Sequence, residues 1–156
     1  MGQKQFCPIL TEKDMLIVRP IQNKELQKNL CEKAGIGFEA EAMAYLAAES
    51  DDLGVTLREF LGVLQFDLDA KGARLYPTAQ MPGVQDEEAM IIMGRAAMSF
   101  MHRSGANSLR ADASVCDEKL LSAFGLLPDG KGGYEVDLEL FFKSPCSYNK
   151  EHGTIK

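Results

Sequence analysis

Short runs of apolar and β-branched residues predict most of the strands in this chain. MLIVRPI (15–21) is such a run. LGVLQFDL (61–68) and ARLYPTA (73–79) flank DAKG, a turn sequence that favours a β-hairpin. AMAYLAAE (42–49) is ambiguous, because its alanines favour a helix whereas its length and its neighbours suit a strand. We interpret SDDLGVTLREF (50–60), which follows it, as a connection with extra residues.

Two short helices are predicted from their caps and their apolar faces. Asn23 can cap the first helix, and Gly35 can end it. Its apolar face carries Leu26, Leu30 and Cys31. CDEKLLSAF (116–124) predicts the second helix, which Gly125 stops.

A longer helix is predicted from about residue 86 to residue 103. Apolar side chains fill most of its circumference, so we expect it to be mostly enclosed. A narrow polar stripe remains, which we interpret as the wetter face of the helix rather than as a site. The stripe consists of Glu88, Arg95, Ser99 and His102.

The remaining segments complete an α+β chain. SLRADAS (108–114) alternates apolar and polar residues, as a strand does. LLPDGKGGYEVDLELFF (126–142) contains a turn, and its second part predicts a strand. The order β-α-β-β-β-α-β-α-β indicates a mixed central sheet flanked by helices. We expect one domain over residues 15–146, after a lead-in (1–14) and before a frayed tail (147–156).

Charge and composition exclude several classes of function. The chain of 156 residues has a net charge of −6 and no cluster of Lys and Arg, which argues against nucleic acid. It has no basic amphipathic helix and no run of eighteen apolar residues, and we expect no signal peptide at its N-terminus. We therefore expect a soluble cytoplasmic protein with neither a nucleic-acid nor a membrane partner.

The cysteines and histidines do not form a recognisable site. None of the four cysteines stands in a CxxC pair, and His102 and His152 are distant from all of them in sequence. We expect free thiols in a reducing compartment and no bound metal. The cysteines are Cys7, Cys31, Cys116 and Cys146.

The stretch PTAQMPGVQ (77–85) carries a family resemblance. Its Pro77, Gln80 and Gly83 keep the spacing that ends strand four in the GNAT superfamily of acyl-CoA-dependent N-acyltransferases. MLIVRPI with its helix resembles the opening of that family, and SLRADAS with DEKLLSAFGLLPDG resembles strand five, the next helix and the glycine turn. The resemblance covers roughly residues 15–143 and implies a GNAT-like fold in which strands four and five splay apart.

The resemblance also implies a ligand and a reaction. The co-substrate would be acetyl-CoA or another acyl-CoA, with its pyrophosphate held by amides at a helix N-terminus. The residues of that loop would be Gln80, Met81, Gly83, Val84 and Gln85. A small amine would attack the thioester with the help of a base, a backbone amide that polarises the carbonyl and, often, an acid.

Several positions depart from the family pattern, and we assign no catalytic residue. Leu121 stands where the family has its usual Tyr acid, Gln85 stands where a small residue is expected, and Asp86–Glu88 puts three carboxylates at the helix start. Three other side chains could substitute for the missing groups, although structural roles are the more economical interpretation. They are Asp112, Cys116 and Tyr76.

Three hypotheses of function follow from these observations. The first is an acyl-CoA-dependent N-acyltransferase that acts on an unidentified small amine. The second is a catalytically silent module with the same fold that binds a ligand or a protein. The third is an unrelated α+β domain, for which strands four and five would be fully paired. A protein partner or a homodimer stays open in each of them.

Overall fold

A computed structural model describes residues 15–51 and 56–143. The strands are β1 (Met15–Pro20), β2 (Met43–Ser50), β3 (Leu57–Asp69), β4 (Gly72–Gln80), β5 (Ser108–Asp112), β6 (Leu127–Pro128) and β7 (Gly133–Asp137). The helices are α1 (Lys24–Ala34), α2 (Glu87–Arg103), α3 (Glu118–Phe124) and α4 (Leu138–Lys143), and a 3-10 turn, Ala113–Val115, follows β5. The predicted lead-in and tail lie outside the described residues.

The strands form one mixed sheet in the order β1-β2-β3-β4-β5-β7-β6. Every neighbouring pair is antiparallel except β4 and β5, which are parallel and are joined through α2. A crossover helix is the usual connection between parallel strands. The predicted α+β class, a mixed sheet flanked by helices, is confirmed.

The segment 42–49, which the sequence left ambiguous, lies in a central strand from its second residue onwards. Ala44, Leu46 and Ala48 of β2 pack in the core on the α1 side, whereas Tyr45 and Ala47 belong to the core under α2. Because both faces are covered, the strand is apolar almost throughout and lacks the alternation of a half-exposed strand. Burial therefore outweighs the helical propensity of its alanines. The next strand, β3, begins at Leu57, inside the segment predicted to be a connection.

The second part of the 126–142 segment is only partly a strand. β7 ends at Asp137, and residues 138–143 form α4, so the predicted strand is wrong from Leu138 onwards. Asp137 starts the helix, because its Oδ1 accepts a hydrogen bond from the Leu140 N–H at 2.9 Å. Leu138 and Phe141 are three residues apart, and both are buried, which is the spacing of one helical face.

Helix α2 is enclosed, as predicted. Met90, Met93 and Met101 have no exposed surface, and they pack against the sheet. Ile92 is the exception within the predicted apolar arc, since it is 41% exposed. On its far side α2 contacts α3, where Gly94 lies directly against the ring of Phe124. A side chain at position 94 would occupy the space of that ring.

The predicted caps and the predicted hairpin turn are also present. Asn23 caps α1, because its Oδ1 accepts hydrogen bonds from the N–H groups of Glu25 and Leu26 at 2.8 and 3.2 Å. Gly35 ends the helix in the left-handed conformation. β3 and β4 pair in register across Asp69–Gly72, whose Asp69 carboxylate accepts from the Lys71 N–H at 2.8 Å.

A buried amide joins the loop after α1 to strand β4. The side chain of Gln65, on β3, has no exposed surface and uses all four of its hydrogen-bonding positions. Its Oε1 accepts from Gln27 Nε2 at 2.8 Å and from the Glu39 N–H at 2.9 Å. Its Nε2 donates to the carbonyls of Gly37 at 2.8 Å and Pro77 at 3.0 Å. Pro77 is the extra residue of a β-bulge in β4, since Leu64 pairs with Thr78 and Gln65 with Tyr76. Gln65 therefore fixes the loop and this bulge relative to each other.

Candidate functional site

Strands β4 and β5 separate almost as soon as they pair. Their parallel register covers only Ala73 with Leu109 and Arg74 with Arg110. The rest of β4, residues 75–80, pairs with β3 alone and spans roughly 20 Å at about 3.3 Å per residue. The predicted splay is therefore present, and the fully paired arrangement of an unrelated domain is not. We call the opening between the two strands the fork.

The loop that leaves the open end of β4 is a compact turn. The Met81 N–H donates to the Leu61 carbonyl at 2.9 Å, and the Val84 N–H donates to the Met81 carbonyl at 3.1 Å. The Gln80 side chain accepts a hydrogen bond from the Asp86 N–H at 3.0 Å, which ties the end of β4 to the start of α2. Gly83 has φ +83°, a backbone conformation that favours glycine.

Several N–H groups of this turn are available to a ligand. Within the described part of the chain, the backbone N–H groups of Gly83, Gln85, Glu87 and Glu88 have no hydrogen-bond partner. The last two lie in the first turn of α2, where the helix dipole is positive. A Cβ placed on Gly83 would meet no atom within 4 Å, so the space in front of the turn is open. This donor set suits an anionic oxygen, such as one of a phosphate.

The five residues predicted to hold the pyrophosphate contribute unequally to this donor set. Gly83 and Gln85 offer unpaired N–H groups. The N–H groups of Met81 and Val84 are already used within the turn, and the Met81 side chain is 7% exposed and packs in the core on the α1 side. Gln80 acts through its side chain, by holding Asp86. The assignment of this loop to a ligand stays a prediction.

A cleft of about 450 Å³ opens beside the turn, between the end of β4 and the start of α3. Among the described residues that line the cleft, Lys119 is the only cation, and two carboxylates also face the cleft. Their charges oppose an anion, so tight binding of a polyphosphate depends on the backbone donors rather than on ion pairs. The lining residues are Gln80, Gln85, Glu87, Asp117, Lys119 and Leu120.

The structure assigns clear environments to the side chains weighed as catalytic candidates. Leu121, in the position of the expected acid, has no exposed surface and forms part of the core. Tyr76 is half-buried on β4. Asp112 ends β5 and accepts a hydrogen bond from Arg74 Nη2 at 3.2 Å, across the fork. Neither Arg74 nor its neighbour Arg110 is a predicted site residue, although both stand between buried residues in alternating strands.

Cys116 is not placed to act as a nucleophile. It is buried, and burial followed by the nearby negative charge of Asp117 raises the pKa of its thiol to about 12. Cys31 lies in the core on the α1 side, where burial raises the pKa of its thiol to about 11. Both groups are therefore neutral thiols at physiological pH.

We expect the native protein to protect both thiols from alkylation. In a Cys7→Ser/Cys146→Ser variant, iodoacetamide at pH 8 should modify Cys31 and Cys116 more than about a hundredfold more slowly than in the urea-unfolded chain. Peptide mass spectrometry after timed quenching measures both rates. Equal rates for Cys116 in the folded and unfolded chains would contradict its burial.

Two further properties concern the described residues as a whole. No group of three or more His, Cys, Asp or Glu side chains is arranged there to hold a metal ion. No helix in residues 15–51 or 56–143 is long and apolar enough to cross a membrane.

The fold, with its fork and its turn before α2, is that of the GNAT acetyltransferases. A GNAT family acetyltransferase from Brucella melitensis, in complex with acetyl-CoA, is similar with a TM-score of 0.58 and 15% identity, over 79% of this chain and 88% of its own. The GNAT family N-acetyltransferase YhbS of Escherichia coli, in complex with CoA, is similar with a TM-score of 0.56 and 14% identity, over 94% of this chain and 89% of its own.

The similarity extends to an enzyme with a named acceptor. A single-residue mutant of the spermidine N-acetyltransferase SpeG of Vibrio cholerae has a TM-score of 0.54 and 11% identity, over 81% of this chain and 96% of its own. No protein-family model matches the sequence, and no curated protein is similar to it at a significant level. These comparisons confirm the predicted fold at low sequence identity.

Proposed function

We propose that this protein transfers an acyl group from an acyl-CoA, such as acetyl-CoA, to the amine of a small molecule. The observation that carries the proposal is the fork between β4 and β5, which ends at a turn with unpaired N–H groups. A phosphate at this turn would leave the extended arm of an acyl-CoA free to follow the unpaired edge of residues 75–80 toward the fork. Similar folds that hold acetyl-CoA or CoA support the same ligand.

The reaction needs little from an acid in this chain. The amine nitrogen, as the free base, attacks the thioester carbonyl carbon to form a C–N bond. The C–S bond then breaks, with its electron pair going to sulfur, and the proton released from nitrogen reaches the thiolate or water. A thiolate is a good leaving group because thiols have pKa values near 8.5, so the loss of a Tyr acid at Leu121 is tolerable. Backbone N–H groups at the fork would polarise the carbonyl.

The proposal predicts that a side chain at Gly83 impairs binding of acetyl-CoA. Gly83→Ala places a methyl group in the open space in front of the turn and strains a backbone with φ +83°. We expect the Kd measured by calorimetric titration with acetyl-CoA to rise at least about tenfold, which is about 1.4 kcal/mol.

Gly35→Ala is the matched control for this experiment. Gly35 has φ +75°, and its added Cβ would also meet no atom within 4 Å, but it lies at the end of α1. The two variants should lose similar stability in thermal unfolding, whereas only Gly83→Ala should lose affinity. Equal Kd values in the two variants would remove the turn from the binding site.

A second function is favoured by two observations. The buried Leu121, together with the acidic start of α2, suits a protein of this fold that binds an acyl-CoA or another ligand without turnover. Release of CoA from acetyl-CoA, followed with a thiol reagent over a broad amine panel, separates the two functions. Binding of acetyl-CoA without transfer to any amine supports the silent module, and transfer supports the enzyme.

A further inference from the structure

The sheet face opposite α2 carries two arginines side by side at the fork. Arg74 and Arg110 are the last residues in register between β4 and β5, and their neighbours in each strand are buried under α2. Like charges on adjacent residues of neighbouring strands are unfavourable. Positions that break a local stability rule are commonly functional, so this pair is a candidate site.

Each arginine has an acidic partner that a ligand could replace. Arg74 Nη2 lies 3.2 Å from Asp112 Oδ2, and Arg110 Nη2 lies 3.0 Å from Asp69 Oδ2. Their side chains are 32–63% exposed, and ion pairs of that kind contribute little to stability. Arg110 Nε also has no hydrogen-bond partner among the described residues. Both guanidinium groups therefore keep donors for a further anion.

A cavity of about 350 Å³ lies over this pair. Its far wall is the turn between β6 and β7, which is fixed because Asp129 Oδ1 accepts from the N–H groups of Lys131 and Gly133 at 2.7 and 3.1 Å. Three cations and three carboxylates line the cavity. They are Arg74, Arg110, Lys131, Asp112, Asp129 and Glu135.

Cations and carboxylates in one cavity suit a ligand that bears both charges. Two guanidinium groups can bind a carboxylate through paired N–H donors. The adjacent Asp112 can hold an ammonium group at the end of β5, next to the point where the fork opens. The carboxylate and the amine of an α-amino acid are separated by one carbon, which matches this adjacency.

We propose that this cavity is the acceptor subsite of the acyltransferase and that its acceptors are α-amino acids. The inference rests on the proposed function, which supplies the acyl-CoA. Arg74 and Arg110 hold the carboxylate, and Asp112 positions the amine. The ammonium group first loses one proton to water. The free amine then forms the C–N bond as the thioester C–S bond breaks, and the second proton released from nitrogen reaches the CoA thiolate or water. The products are an N-acyl amino acid and CoA.

Matched acceptors test the subsite. With acetyl-CoA as donor, each of the twenty L-amino acids is compared with its methyl ester and its decarboxylated amine, by release of CoA. We expect kcat/KM for the preferred amino acid to exceed that of its ester and its amine at least tenfold. Arg74→Gln and Arg110→Gln should raise KM for that amino acid at least tenfold and leave KM for acetyl-CoA unchanged, and Arg110→Gln should also leave KM for the ester unchanged.

Arg19→Gln, on β1, is the control, because it removes the same charge from an exposed strand remote from the fork. It should leave every constant unchanged, and thermal unfolding checks the fold of all three variants. Two outcomes would contradict the proposed subsite but not the acyltransferase activity. One is that esters are used as well as amino acids, and the other is that KM for the amino acid is unchanged in both Arg74→Gln and Arg110→Gln. Absence of transfer to any acceptor would overturn both.

Discussion

Replacing Gln65 by leucine is expected to lower the free energy of unfolding by about 3–5 kcal/mol, a large part of the 5–15 kcal/mol that holds a typical domain folded. Leucine has nearly the same volume, so the effect comes from hydrogen bonds. The N–H of Glu39 and the carbonyls of Gly37 and Pro77 would lose their partner, as would one donor of Gln27. Urea denaturation followed by circular dichroism measures the loss.

Gln22→Leu is the control for this substitution. Gln22 is exposed, in the connection between β1 and α1, and its replacement should change stability by less than about 0.5 kcal/mol. If the free energy of unfolding of Gln65→Leu lies within about 1 kcal/mol of the wild-type value, water or a rearranged loop is forming hydrogen bonds with these groups. The buried amide would then not be what fixes the loop relative to β4.

Gly94→Val is expected to destabilise the protein by about 3 kcal/mol, the upper part of the usual range for overpacking. A Cβ at this position would lie 2.5 Å from Cδ1 of Phe124, whose ring is fully buried in the core. The better helix propensity of valine returns only a few tenths of a kcal/mol. Thermal and urea unfolding of the purified variant measure the effect.

A double-mutant cycle shows whether the collision with Phe124 is the cause. Phe124→Leu removes Cε1 and Cζ, two of the three ring atoms nearest to a side chain at 94, at the expense of a cavity. The double variant Gly94→Val/Phe124→Leu should be destabilised by less than the sum of the two single-variant destabilisations, by more than about 1 kcal/mol. Strict additivity would mean that the helix itself, rather than its contact with α3, rejects the larger residue.

Local patterns in the sequence predicted the elements that bury one face and carry their own turn or cap residues. The hairpin from β3 to β4 and the amphipathic α1 follow from turn residues, a cap and one apolar face. β2 and α4 did not follow, because their states depend on contacts between distant segments. β2 is covered on both faces, which removes its alternation, and α4 begins only because the Asp137 side chain caps it.

The candidate site divides in the same way. Gln80 and Gly83 were recognisable from spacing, since the turn is made by consecutive residues. The pairing of Arg74 with Arg110 was not, because it depends on the register that α2 imposes on two strands more than thirty residues apart. Charged residues that alternate with apolar ones are typical of any strand with one exposed face, so the sequence alone does not show which of them are neighbours.

The fork leaves one side of β4, a strand inside the sheet, unpaired over residues 75–80. Residues 75–80 present backbone N–H and C=O groups that β5 does not satisfy, and sheet edges of this kind accept added strands, whether from a ligand or from another chain. A bound molecule with amide groups in its arm would therefore occupy the position that a foreign strand could otherwise take. The protein should aggregate more slowly on heating when that edge is filled than when it is empty.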